Sequence, residues 1–197
     1  MKNPINVAIV GMGQAGLKHL LAFKKLKNVQ IVGVADSDKI ILKEIKAKHG
    51  FNTFSSYKEL LDLELNILVI STPHRYLYQI GKDAAALGIN ILIEKPIALN
   101  LSDAVKLVNY CNDKKVKMGV SFVHRYRKEV LKTKEWISKK RLGKLLLTHT
   151  TMIFPQRDPL PKWLNSPEDS GGGIIMYGAI HSLDMLCWLI NDVCLSV

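Results

Sequence analysis

An apolar, β-branched run, Val7-Ala8-Ile9-Val10, leads without interruption into Gly11-Met12-Gly13-Gln14-Ala15-Gly16, and an amphipathic pattern with Leu17, Leu20 and Leu21 follows. Strand, glycine-spaced turn and helix in that order narrow the fold more than anything else in the chain. The first glycine of such a turn permits the tight reversal, the second leaves room for a pyrophosphate, and the third lets the helix lie close to the sheet. The helix N-terminus adds free N–H groups and the positive end of the dipole. A second strand, residues 29–35, ends at Asp36, about twenty residues beyond the last glycine, where an acid meets an adenosine ribose. The combination predicts a dinucleotide cofactor held by Gly11, Met12, Gly13, Gln14, Ala15 and Gly16, with Asp36 accepting from the ribose 2′-OH. That carboxylate repels a 2′-phosphate, and Ser37 and Asp38 supply no arginine. NAD is therefore expected ahead of NADP, although Lys39 leaves NADP open. The competing reading is a structural glycine turn in a nucleotide-free sheet.

Strands and helices alternate from there to residue 122. Strands are expected at residues 5–10, 29–35, 51–54, 66–70, 89–93 and 116–122, with helices at 14–26, 38–48, 74–87 and 101–112. Ser56-Tyr57-Lys58-Glu59 reads as a capping box on a further short helix. This alternation predicts an α/β fold with a doubly wound parallel Rossmann sheet. Ligands bind such sheets beyond the carboxyl ends of the strands. Gly11, Asp36, Ser71-Thr72, Glu94-Lys95 and His124-Arg125 all fall at strand exits, so they define a shared rim where the site is expected. Beyond residue 124 the pattern changes to a lysine-rich helix (128–140), a long strand (144–154) and a proline-punctuated loop (155–167). Gly171-Gly172-Gly173 then introduces an apolar helix (174–190), and residues 193–197 read as the start of a strand. The expected organisation is a Rossmann domain over 1–124 and an incomplete α+β domain over 125–197.

Composition excludes several classes. The 197 residues are 48% hydrophobic and 23% charged, which describes a globular chain with ample core. No unbroken run approaches the ~20 apolar residues of a membrane span, and Met1-Lys2-Asn3-Pro4 shows no signal-peptide pattern, so a cytoplasmic protein without a membrane partner is expected. Cys111, Cys187 and Cys194 lack metal-ligand spacing, and their odd count argues against a disulfide framework. No metal is expected. The net charge of +11 comes from scattered pairs such as Lys24-Lys25 and Lys114-Lys115 rather than an aromatic-interleaved stripe, so no nucleic-acid partner is expected. The basic field draws in anionic cofactor and substrate instead.

Glu94-Lys95-Pro96-Ile97-Ala98, taken with the N-terminal glycine motif, resembles the glucose-fructose oxidoreductase / inositol dehydrogenase / MocA family. Ser71-Thr72-Pro73-His74 fits that family's strand-end motif, and Arg125-Tyr126 fits its arginine-aromatic pair. Gly171-Gly172-Gly173 followed by His181 and Asp184 looks like its glycine-rich helix entry with the catalytic histidine. Two departures stand out. Tyr177 occupies the position where members often carry an aspartate, and family chains are much longer, so this chain is expected to be truncated in its C-terminal domain. The resemblance implies NAD(P)-dependent oxidation or reduction at a carbinol carbon of a sugar, cyclitol or nucleotide-sugar. A polyol or sugar is thus the expected small-molecule partner.

Such a reaction needs a base for the hydroxyl proton and a group that stabilises the alkoxide. The resemblance makes His181 the base, as an imidazole titrates near neutrality, and Lys95 the alkoxide partner. Tyr177, one helical turn before His181, reads as a substrate-binding or auxiliary acid group, with simple packing as its bland alternative. Ser71, Thr72, His74, Glu94 and Lys95 join the glycine loop around the cofactor on the same basis. Lys95–Pro96 is a peptide that could be cis. Asp184 reads equally as a partner of the site or as a helix charge, and Arg125 either binds substrate or holds a corner. His19, His49 and His149 read as structural or surface residues. The apolar residues of 144–154 and 174–190 are expected to lack cover within the chain, which predicts homo-oligomerisation through the second domain. The alternative to a dehydrogenase is a catalytically inactive dinucleotide-binding module acting as a sensor or fragment.

Overall fold

Six parallel strands lie in the order β3-β2-β1-β4-β5-β6: β1 (Ile5–Val10), β2 (Val29–Ala35), β3 (Thr53–Phe54), β4 (Ile67–Ile70), β5 (Asn90–Ile93) and β6 (Met118–Val120). The computed structural model describes residues 4–151, 153 and 161–192, which fall into two units, Met1–Ser121 and Phe122–Val197. In the first unit α1 (Gln14–Phe23) and α2 (Lys39–His49) bury Leu20 and Ile45 against Val7, Ile9, Val34 and Val69 on one face of the sheet. On the other face α3 (Tyr57–Leu61), α4 (His74–Ala86) and α5 (Leu101–Asp113) bury Leu60, Leu77, Ala84 and Leu107 against Ala8, Leu68, Ile70 and Ile93. Cover on both faces is why the central strands read as unbroken apolar runs. The expected doubly wound parallel sheet is therefore the observed one. Its order reverses between β1 and β4, the point where such sheets hold ligands.

The two ends of the sheet are built differently. At the amino ends asparagines tie neighbouring strands together. Asn66 Oδ1 accepts from the Asn6 N–H at 2.7 Å, Asn90 Nδ2 donates to the Asn66 carbonyl at 3.0 Å, and Asn90 Oδ1 accepts from the Lys117 N–H at 3.0 Å. These side chains also line a shallow concavity of about 550 Å³, whose amides are already engaged with backbone. At the helix starts, Asp38 caps α2, Ser56 and Glu59 form the capping box of α3, and Asn100 caps α5. α1 and α4 begin without a side-chain cap, at Gly13 and Pro73, and both start at the carboxyl ends of strands.

The second unit contains a 3₁₀ turn (Val123–Tyr126), α6 (Lys128–Ser138), a second 3₁₀ turn (Lys162–Asn165), α7 (Pro167–Ser170), a π-helical turn (Ile175–Ala179) and α8 (Ile180–Ile190). α7 is not among the elements expected from sequence, whose proline-punctuated loop ends at its first residue, Pro167. Ser166 caps it, Pro167 opens it and Gly171, at φ 76°, closes it. The strand expected over 144–154 is not formed by its described residues, 144–151 and 153, which have no ladder partner. A β-branched stretch holds strand geometry only by cross-strand pairing. Leu146, Leu147 and Ile153 are each 85% exposed. The rest of that stretch, residues 155–160 of the proline-rich loop and the strand expected at 193–197 lie outside the described residues.

Counting unbroken apolar runs also missed one property. The helical stretch Pro167–Ile190, 24 residues with mean hydropathy 1.5, is long and apolar enough to cross a membrane by length and composition alone. Core helices meet the same test, and this one carries Asp184 in an ion pair with Arg125.

Candidate functional site

The glycine loop leaves β1 at Gly11, whose φ of +84° suits glycine alone. A methyl group there would also lie 2.6 Å from the Ser71 backbone at the exit of β4. Gly16 is tighter still, for a Cβ would sit 1.9 Å from the Gly11 carbonyl oxygen. At Gly13 a Cβ would meet nothing within 4 Å. Two of the three glycines thus draw α1 onto the loop, while the middle one borders open space at an uncapped helix start. The Ser71 hydroxyl sits within 3.1 Å of the Val10 carbonyl and 2.8 Å of the Gly11 carbonyl, so it clamps the loop. Asp36, at the exit of β2, accepts from the Met12 N–H at 2.6 Å and from the Asp38 N–H at 2.9 Å. A carboxylate keeps further lone pairs after two such bonds.

The cradle fits a dinucleotide on three observations. Gly13 and Gln14 are exposed at the uncapped start of α1. The Thr72 hydroxyl, at the exit of β4, is buried without a hydrogen-bond partner, and so is the Ser121 hydroxyl just past β6. Buried hydroxyls left in this state at a strand-exit rim are ready to bind a polar ligand. His74, also on this rim, is buried in the first turn of α4.

Lys95 follows β5 and is 7% exposed, joined to Pro96 by a cis peptide. Burial holds its ammonium below the ordinary lysine pKa, while the charge of neighbouring Glu94 acts in the opposite direction. Glu94 Oε1 lies 2.9 Å from His19 Nε2, the two side chains being 16% and 14% exposed. Glu94 is therefore engaged with α1, which ties the exit of β5 to the helix that follows the glycine loop.

In the second unit His181 lies in the first turn of α8, and its ring stacks on that of His124 with 4.5 Å between centroids and 7° between planes. Phe122 meets His181 edge-on at 6.3 Å. Arg125 donates to Asp184 through Nε at 2.7 Å and through its guanidinium Nη2, which keeps the guanidinium still more firmly protonated. Tyr177 lies in the π-helical turn, its ring edge-on to Trp163 at 6.2 Å. Among the described residues no three His, Cys, Asp or Glu side chains gather as a metal site.

The structure brings the predicted Gly11, Met12, Gly13, Gln14, Ala15, Gly16, Asp36, Ser71, Thr72, His74, Glu94 and Lys95 to the carboxyl end of one sheet. Sequence reasoning passed over Ser121, placed His124 only on the strand-exit rim without a role, and read His19 as structural or surface. Ser121 carried a usable signal, its place just beyond a strand. His124 carried the same strand-exit signal, whereas the contact of His19 with Glu94 carried none.

Strand order, glycine cradle and ribose-side acid define a dinucleotide-binding α/β protein. Residues 5–122 match the model of an oxidoreductase family with an NAD-binding Rossmann fold, and residues 130–197 match the GFO/IDH/MocA C-terminal domain. The chain belongs to this GFO/IDH/MocA oxidoreductase family, and its first unit is the NAD-binding Rossmann domain. It is 28% identical to 1-carboxy-3-chloro-3,4-dihydroxycyclo hexa-1,5-diene dehydrogenase of Comamonas testosteroni, over 92% of this chain and 46% of that protein. It is 30% identical to oxidoreductase P35 of Formosa agariphila, over 98% of this chain and 63% of the relative. Among solved structures, the WlbA dehydrogenase of Bordetella pertussis with NADH and UDP-GlcNAcA shares the fold, with a TM-score of 0.84 and 24% identity over 96% of this chain and 56% of that one. The chain thus spans about half to two thirds of the length of these proteins.

Proposed function

We propose that this chain serves NAD-dependent hydride transfer at a carbinol carbon of a sugar, cyclitol or nucleotide-sugar. The observation that carries the reading is Lys95, a buried lysine at the exit of β5 on the same sheet end as the Gly11–Gly16 cradle. The nicotinamide supplies the hydride acceptor or donor when bound. Gly13 and the N–H groups at the start of α1 receive the pyrophosphate, and Asp36 receives the adenosine ribose, which favours NAD over NADP. Thr72 and Ser121 offer their hydroxyls to the same ligand. The Lys95 ammonium hydrogen-bonds the substrate oxygen and stabilises negative charge as the alkoxide forms. Its depressed pKa suits a group that also exchanges a proton. His181 takes the hydroxyl proton as general base, and Tyr177 contributes a substrate contact.

Calorimetric titration with NAD and NADH, followed by NAD reduction across a panel of sugars, cyclitols and nucleotide-sugars, tests this. Turnover is expected to fall roughly 10²–10⁴-fold in Lys95→Ala and in His181→Ala, with NAD affinity retained in His181→Ala. Binding without turnover of any panel member supports the second reading, a cofactor-binding module. Failure to bind either nucleotide overturns both.

A further inference from the structure

Glu94 is fixed at the exit of β5 by its backbone and by its side chain. Its N–H donates to the Ile70 carbonyl of β4, and on the other flank the Ser121 N–H donates to the Ile93 carbonyl. The side chain is tied to α1, with Oε1 2.9 Å from His19 Nε2. A carboxylate only accepts, so the hydrogen of this bond sits on Nε2, and Oε2 keeps its lone pairs. The two side chains are 16% and 14% exposed, which shields the bond from water. β5 pairs with β6 in the register Ile93 to Val120, so Ser121 is the neighbour of Glu94 across the strand ends. The Ser121 hydroxyl is buried without a hydrogen-bond partner. A carboxylate with lone pairs to spare, next to such a hydroxyl, suits a ligand that presents hydroxyl groups.

Sheet order says which hydroxyl groups these are. Asp36, on the adenosine side, stands at the exit of β2, one strand from the glycine loop that follows β1. Glu94 and Ser121 stand at the exits of β5 and β6, beyond β4 on the opposite side. A dinucleotide with its pyrophosphate on the loop therefore carries its second ribose toward β5, two strand spacings or roughly 10 Å from β1. We propose that His19 is a positioning residue for the cofactor. Its bond to Oε1 sets the Glu94 carboxylate so that Oε2 accepts from the hydroxyl groups of the nicotinamide ribose. An untethered glutamate gives up rotamer freedom when it takes a ligand, and the imidazole removes that cost in advance. This role rests on the reading of the sheet end as the cofactor site. It makes α1 support both halves of the ligand, the pyrophosphate through its N-terminus and the distal ribose through His19 and Glu94.

ADP, ADP-ribose and NAD separate this role from a purely structural one, because only the last two carry the second ribose. Calorimetric titrations with the three ligands compare the whole unsubstituted chain with His19→Leu, His19→Gln, Glu94→Ala and the combination of His19→Leu with Glu94→Ala. His19→Leu is expected to lose roughly ten-fold in affinity for NAD and ADP-ribose while binding ADP unchanged. His19→Gln, which keeps an N–H donor at that place on the helix, is expected to recover most of the loss. Once Glu94→Ala is present, His19→Leu is expected to change nothing further, since the two side chains act through one bond. An equal loss for ADP would mean that the substitution displaces α1 and its loop, and it overturns the positioning role. Unchanged affinity for all three ligands overturns it too, as does a full His19→Leu effect in the absence of the Glu94 carboxylate. Should His19→Leu fail to fold, His19→Ala takes its place in the same comparison. Failure of the unsubstituted chain to bind NAD overturns the cofactor reading itself. Tight NAD binding that His19→Leu leaves intact overturns only the role of His19.

Discussion

Gly13 and Gly16 stand three positions apart, yet a methyl group would meet open space at the first and a backbone carbonyl at the second. Their substitution therefore separates ligand binding from folding. Gly13→Ala fits its φ of −66° and is expected to change stability by no more than about 0.5 kcal/mol, while NAD affinity falls roughly ten-fold or more as the methyl intrudes on the pyrophosphate. Gly16→Ala must push α1 off the Gly11 carbonyl and is expected to destabilise the protein by roughly 2–4 kcal/mol. Urea unfolding and NAD calorimetry on the two variants check both statements, and an unimpaired affinity in Gly13→Ala would remove the middle glycine from the cradle. These glycines were legible in the sequence because their reasons are local, lying in one turn between one strand and one helix. His19 was not, because its partner Glu94 is 75 positions away. Periodicity showed only a histidine on a half-apolar helix. His124 was legible as a strand-exit residue, but its stack on His181 was not, since nothing local marks a ring partner 57 positions away.

Among elements, the short α3 is held to α4 by one bond whose strength depends on pH. The Tyr57 hydroxyl donates to Asp83 Oδ2 at 2.8 Å, and Gln79 donates to the other oxygen at 2.7 Å. Burial first, then the hydrogen bond and charge of Asp83, push the phenol up to about 12. In the unfolded chain a tyrosine loses its proton near ~10. Between those values the folded state binds more protons than the unfolded one, so stability falls as pH rises through this window and is fully present below it. Urea midpoints measured at successive alkaline pH values are expected to decline less steeply in Tyr57→Phe than in the unsubstituted protein. Parallel declines would show that the bond contributes nothing to the alkaline limb. The existence and type of the elements in this unit were legible because each apolar run or helical period has its own cover. The capping box at Ser56 and Glu59 was legible too, since both its bonds are local. Residues 144–151 failed for the complementary reason. Their composition suits a strand, but a strand is a property of a pair, and no partner is present among the described residues.

At the scale of the molecule two opposing surface terms meet. Twenty-eight lysines and arginines against seventeen aspartates and glutamates leave +11, a field that keeps copies apart at low salt. Against it, the second unit exposes Leu145, Leu146, Leu147 and Ile153, and, at the start of its apolar helix, Ile174 and Ile175. We propose that a second copy of the chain covers these apolar side chains, since it offers the same complement. The charge term is long-range and screened within about 10 Å at 0.1 M salt, whereas apolar burial is indifferent to moderate salt. Self-association is therefore expected to strengthen as salt rises, the reverse of what an interface built on ion pairs shows. Sedimentation equilibrium over a concentration series at low and moderate salt measures this directly. The combined substitution Leu146→Glu and Leu147→Glu adds charge to the exposed stretch without touching the sheet, and it is expected to return the chain to a monomer while NAD binding persists. A stable monomer at every concentration and salt would mean that these side chains find cover within the chain, and would withdraw the oligomer expected of the second unit.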